Sequence, residues 1–181
     1  FAGAITTAIV QSSSATIGIL QELYTTGAIP LIGAIAIVFG DNIGTTVTAV
    51  FASIGGSVAA KRTATAHVVF NLLGSIIFMV FLVPYTGFIQ FLEDMFVDVS
   101  DPNNMKLTIS FAHMAFNIFN TFIMFFFIKQ LVWLVTKLVK GEDNIIKVDV
   151  DSLSDDLIFE APVLALESAK IVITNMGKLT E

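Results

Sequence analysis

TAIVQSSSATIGIL, Thr7 to Leu20, decides how this chain folds: a polar cluster of Gln11, Ser12, Ser13 and Ser14 lies between two short apolar arms. The arm before it, Phe1 to Val10, has ten residues, and the arm after it, Ala15 to Leu20, is shorter still before the chain turns polar at Gln21 and Glu22. A helix rises about 1.5 Å per residue and needs roughly 20 residues to cross about 30 Å of hydrocarbon, so neither arm spans a bilayer. Two half-length arms joined by a polar tip predict a re-entrant helical hairpin with its tip at membrane depth. Such backbone is tolerated only where protein or a water-filled cavity satisfies its free N–H and C=O groups, which makes the tip a candidate ligand site.

Composition sets the surroundings of that hairpin. Of 181 residues, 55% are hydrophobic and 17 are Phe, the profile of an integral membrane protein. Up to Lys140 the charges balance: six acidic residues (Glu22, Asp41, Glu93, Asp94, Asp98, Asp101) against six basic ones (Lys61, Arg62, Lys106, Lys129, Lys137, Lys140). The net charge of −6 therefore lies in residues 141 to 181, and no basic patch supports binding to nucleic acid. With no cysteine, disulfides and thiolate metal sites are excluded. The chain starts at Phe1 inside an apolar run, without Met or a charged signal-type start, and is read as a fragment of a longer membrane protein.

The fold class expected is all-α: a polytopic membrane protein with a re-entrant hairpin, broken helices and a soluble helical segment at the C-terminus. After a turn at Thr25 to Pro30, LIGAIAIVFG (Leu31 to Gly40) reads as another half-length arm, ending at a second polar break, GDNIGTT (Gly40 to Thr46). A short helix, Val47 to Ile54, is expected after it. Ala64 to Val83, ended by Pro84, is long enough for a full span, as is Leu107 to Ile128. Between them, Tyr85 to Met105 is expected to be an acidic loop with a DPNN turn at Asp101 to Asn104. Lys61 and Arg62 before this pair, and Lys129, Lys137 and Lys140 after it, put those ends in the cytoplasm by the positive-inside rule. Leu131 to Lys140 is amphipathic and fits the membrane interface. The expected domains are a membrane domain, 1–140, and a cytoplasmic tail, 141–181, whose Leu157 to Ile173 reads as the opening helix of a bundle.

The chemistry sits at the two polar clusters. Serine hydroxyls donate to oxyanions and accept cations, and the Gln11 amide oxygen and freed carbonyls are hard ligands, so QSSSA suits an oxyanion and a hard cation together. Half-helix ends that face anions and sodium near the midplane are a recurring device of secondary transporters. Three serines that merely let helices approach closely are the plainer alternative. Asn42, Thr45 and Thr46 offer neutral oxygens, with helix capping by Asp41 or Asn42 as their alternative role. Asp41 is an intramembrane carboxylate and a functional suspect on that ground. AHVVFN (Ala66 to Asn71) and AHMAFN (Ala112 to Asn117) each place His and Asn at i and i+4, a pattern expected to pack spans by interhelical hydrogen bonds. No Lys or His stands at a spacing that would activate Ser12 to Ser14 as nucleophiles, so an intramembrane hydrolase is weakly supported and no enzyme is expected.

TAIVQSSSATIGI, GDNIGTTVTAVFAS, KRTATAHVVFN and FAHMAFN, in this order, resemble the second of two inverted repeats in the type II sodium-phosphate cotransporter family, in its bacterial branch. SDDLIFEAPVLALESAKIVITNMGKL in the tail resembles the start of a PhoU-like helical domain. The resemblance implies a sodium-driven phosphate symporter of the cytoplasmic membrane, with sodium as coupling ion and no other cofactor. Gln11, Ser12, Ser13 and Ser14 would contact phosphate. Gln11, Ser12, Asn42, Thr45, Thr46 and Asp41 would bind sodium or support the site, although Asp41 stands where the family usually has a small residue. One QSSS cluster would supply half a site, completed by a preceding repeat or a second copy of the chain, with membrane lipid around it. A membrane scaffold with a recruiting tail, or a passive anion channel, are the competing functional classes.

Overall fold

The computed structural model of the chain describes residues 1–142 and, in the tail, Val163, Leu166, Glu167, Ala169, Lys170, Ile171, Ile173 and Thr174, all of them helical. The chain divides into two compact units, Phe1–Glu142 and Asp143–Glu181. Most of the tail helix expected at Leu157 to Ile173, and of the PhoU-like stretch, lies outside the described residues.

Seven helices make up the first unit: α1 (Ala2–Val10), α2 (Ser13–Thr25), α3 (Leu31–Ala52), α4 (Val58–Val80), α5 (Leu82–Phe96), α6 (Pro102–Phe126) and α7 (Ile128–Leu138). Among the described residues no strand occurs. Three helices, α3, α4 and α6, are long and apolar enough to cross a membrane, which makes this a polytopic, all-α membrane protein. The chain does break between α1 and α2. α2, however, continues past Gln21 and Glu22 to Thr25, because its polar end is anchored: Gln21 Nε2 donates to Ser110 Oγ at 2.9 Å, and Lys106 pairs with Glu22.

α3 corrects the expected second break. Leu31–Ala52 is one helix of 22 residues and runs straight through GDNIGTT. Its polar side chains turn back onto their own helix: Asn42 Nδ2 donates to Val38 O (2.9 Å), Thr45 Oγ1 to Asp41 O (2.9 Å) and Thr46 Oγ1 to Ile43 O (2.8 Å). Its glycines serve close approach. A Cβ on Gly44 would stand 2.5 Å from the Ala4 carbonyl oxygen, one on Gly40 3.0 Å from the Ala4 nitrogen, and one on Gly3 would collide with Ile37 O. Gly40 and Gly44, four apart, thus form a small-residue seam into which α1 settles.

α3 is also the centre of the core. Phe39 packs its ring 5.9 Å from Phe78, 5.4 Å from Tyr85 and 5.1 Å from Phe116, drawing α4, α5 and α6 together. A second cluster, Ile17, Leu20, Ala34, Val38 and Ile109, joins α2, α3 and α6.

The expected acidic loop from Tyr85 to Met105 is mostly helix. Pro84 falls in the first turn of α5, where a missing N–H costs nothing, and Tyr85 and Ile89 are buried, with Tyr85 Oη donating to Ala112 O at 2.6 Å. DPNN starts α6: Asp101 is its N-cap, accepting from the Asn103 amide, and Pro102 occupies the first turn. Among the described residues, the recorded hydrogen bonds of Asn71 and Asn117 in the paired His-Asn motifs stay within their own helices, to the backbone of His67 and His113. Asn120 on α6 reaches Phe70 O on α4 (3.4 Å) and Ser75 on α4 reaches Phe39 O (2.8 Å). At the far end, Arg62 donates to Val139 O (3.1 Å) and Gly141 O (2.9 Å), drawing the end of α7 to the start of α4.

Candidate functional site

The helix break is built from two residues. α1 ends at Val10, and Gln11 takes the left-handed conformation (φ 55°, ψ 27°), its amide bonding Thr7 O at 2.7 Å. Ser12 is extended (φ −144°, ψ 105°), and its Oγ accepts the Ala15 amide at 3.3 Å, so Ser12 is the N-cap of α2. A left-handed, non-glycine residue costs of order 1–3 kcal/mol and persists where its surroundings demand it.

This geometry gives the tip two faces. Helix geometry leaves the last carbonyls of α1 without intrahelical partners, with the negative end of its dipole. The first amides of α2, those of Ser13 and Ser14 among them, carry the positive end. Gln11 and Ser14 are exposed, and Ser12 and Ser13 half-buried. Carbonyls and the Gln11 amide oxygen can therefore coordinate a hard cation beside hydroxyls and amides that can hold an oxyanion.

Beneath the tip lies a buried polar row that crosses three helices. Thr7 Oγ1 on α1 donates to Asp41 Oδ1 on α3 at 2.6 Å and lies 3.0 Å from Thr16 Oγ1 on α2. Thr16 Oγ1 in turn lies 3.3 Å from the Ser12 carbonyl oxygen. Thr7, Thr16 and Asp41 are 1%, 3% and 0% exposed. Asp41 Oδ2 is buried without a hydrogen-bond partner; among the described residues the recorded ion pair, Lys106 with Glu22, lies elsewhere, and His113 on α6 is the titratable base that acts electrostatically on Asp41. A buried carboxylate oxygen in this condition calls for a cation or proton.

Of the residues singled out in the sequence, Gln11 to Ser14 form the tip and Asp41 is tied to it through Thr7, Thr16 and Ser12. Asn42, Thr45 and Thr46 lie on the same helix as Asp41, but their recorded hydrogen bonds go to α3 carbonyls and none joins them to the tip. Their oxygens keep lone pairs to accept with. Thr7 and Thr16 escaped the sequence reading, because threonines in apolar arms look like filler. The spacing of Gly3 and Thr7, matching Gly40 and Gly44, was the available signal for a close seam. Glu93 was also missed: it looks like a loop acid, yet it is buried and accepts from Tyr24 (2.7 Å) and Thr108 (2.9 Å).

Comparison with known proteins bears on the same region. A family model described as Na+/Pi-cotransporter matches residues 1–95. The chain is 50% identical over 88 residues to a Bacillus subtilis (strain 168) protein named "Uncharacterized protein YqeW", a match covering 49% of this chain and 29% of that protein. The chain thus spans under a third of the length of that relative. No solved structure matches it.

Proposed function

The chain belongs to the Na+/Pi-cotransporter family, and from that premise we propose that it serves sodium-coupled phosphate symport across the cytoplasmic membrane by alternating access. The observation that carries the proposal is the depth of the helix break. Thr7, one turn before Gln11, lies against Gly44 and bonds Asp41, which stands at the middle of the 22-residue span α3. One further turn is about 5 Å, so Gln11 and Ser12 fall short of the end of α3. A tip at that depth fits a re-entrant hairpin, tolerable where it lines a cavity.

Phosphate is held by the hydroxyls and first amides of Ser12, Ser13 and Ser14, with Gln11 beside them. Sodium is held by the carbonyl end of α1, Gln11 and Ser12, and by Asp41, with Asn42, Thr45 and Thr46 shaping the wall behind. Sodium offsets the anion's charge, which suits a stretch with no basic residue from Phe1 to Ala60. Neither ion binds well alone, so both cross together. One QSSS cluster supplies half of the site. A preceding inverted repeat or a second copy of this chain supplies the other half.

Arg62 donates to Val139 O and Gly141 O, so the basic start of α4 and end of α7 lie together; the positive-inside rule favours the cytoplasm for that end, from which a regulatory tail would follow. The test is labelled phosphate uptake into proteoliposomes holding the chain with its complementary repeat, under an inward sodium gradient and an equal potassium gradient. Uptake that requires sodium is the expected result. Equal flux in both would replace the symporter with a passive channel, and no flux in folded protein would leave a scaffold.

A further inference from the structure

We infer that Thr7 and Thr16 are positioning residues that couple the sodium-binding carboxylate to the phosphate-binding tip, an inference that rests on the symport reading above. Both arms of the helix pair pack on α3, by different contacts. α1 lies in its glycine seam, whereas α2 meets Ala34 and Val38 through Ile17 and Leu20 and is held further by Ile109, by Gln21 to Ser110 and by Tyr24 to Glu93. Among the described residues, the recorded side-chain hydrogen bond between the arms is Thr7 with Thr16. That contact is almost fully buried and continues to Asp41 on one side and to the Ser12 carbonyl on the other.

A hydroxyl has one hydrogen to give. When the Asp41 carboxylate is uncompensated, it holds the Thr7 hydrogen, and Thr16 is free to donate to the Thr7 oxygen. A sodium ion at Oδ2, the oxygen without a partner, weakens the claim of Asp41 on Thr7. The row can then reverse: Thr7 donates to Thr16, and Thr16 donates to the Ser12 carbonyl at the N-cap. While Asp41 holds the Thr7 hydrogen, Thr16 divides its own between the Thr7 oxygen and the Ser12 carbonyl; once Thr7 donates to Thr16, the Ser12 carbonyl is the acceptor left to it, so the state of Asp41 biases the contact with the backbone of the phosphate site. A bistable element of this kind, biased by both ligands, is what coupling requires. It also explains why two threonines in apolar arms are buried against each other.

The experiment measures equilibrium phosphate affinity of the purified protein, assembled with its complementary repeat, in low and in saturating sodium, for wild type, Thr16→Val and Thr16→Ser. The ratio of the two affinities is the coupling, typically about 5- to 150-fold where sites are linked. Thr16→Val is expected to lower this ratio by about tenfold, with phosphate affinity in low sodium kept within about twofold, and Thr16→Ser to restore it. A role in packing alone would lower the yield of folded protein, or move both affinities together, and leave the ratio intact. An unchanged ratio in monodisperse Thr16→Val protein overturns the inference while leaving symport standing. A wild-type ratio of one overturns symport and the inference with it. Thr16→Ala is the second variant, with the same expected ratio, should valine impair folding.

Discussion

The Thr7 hydroxyl on α1 donates a 2.6 Å hydrogen bond to Asp41 Oδ1 at the middle of α3, while Oδ2 of the same carboxylate is buried without a partner. A half-satisfied carboxylate in a membrane span is expensive, which marks Asp41 as a functional suspect. Everything around it serves closeness: Gly3, Gly40 and Gly44 let α1 approach α3 near enough for the short Thr7 side chain to reach.

Asp41→Asn keeps the shape and removes the charge. Thr7 can still donate to the amide oxygen, so folded protein is expected at wild-type yield. The sodium concentration giving half-maximal phosphate uptake should rise by about tenfold or more, equivalent to about 1.4 kcal/mol or more. Sodium activation curves in proteoliposomes provide the check, and an unshifted curve would remove Asp41 from the sodium shell.

Gly44→Val forces a side chain into the Ala4 carbonyl and the Thr7 side chain, and overpacking of this kind costs about 1–3 kcal/mol. A lower thermal unfolding midpoint in detergent is expected. Gly18 on α2 is the contrast. Nothing lies within 4 Å of a Cβ built there, so Gly18→Ala should be neutral or stabilising by about 0.5–1 kcal/mol.

Tyr24→Phe tests the outer anchor of α2. Glu93 Oε1 would keep Thr108 and lose one of its two donors, a loss of about 1–3 kcal/mol at a buried charged acceptor. The destabilisation should be coupled to Thr108→Val, so the double variant should depart from the sum of the single ones. Strict additivity in unfolding measurements would mean that Glu93 does not join α2 to α6.

The sequence made the helix pair around QSSS legible because apolar length and polar clustering are local signals. Both spans at α4 and α6, and the amphipathic α7, were readable on the same grounds. α3 was misread as two pieces, since the glycines and polar residues of GDNIGTT are helix breakers by propensity. Their bonds back to α3 carbonyls and the seat they offer α1 are tertiary facts. α5 was misread as loop because Glu93 and Asp94 mark surface in isolation, and burial of Glu93 depends on Tyr24, far away in the chain. Gln11 to Ser14 and Asp41 could be named as candidates from residue type. Their connection through Thr7 and Thr16 could not, because it exists only once three helices meet.

The most direct test of the central claim is labelled phosphate uptake by Ser13→Ala protein under an inward sodium gradient, beside wild type and Ser100→Ala. Ser13 opens α2 at the tip, whereas Ser100 lies in the exposed turn before α6. Loss of sodium-driven uptake in folded Ser13→Ala protein, with Ser100→Ala at the wild-type rate, is the predicted result. Uptake by Ser13→Ala at the wild-type rate and the wild-type phosphate concentration dependence would contradict a phosphate site at the helix break.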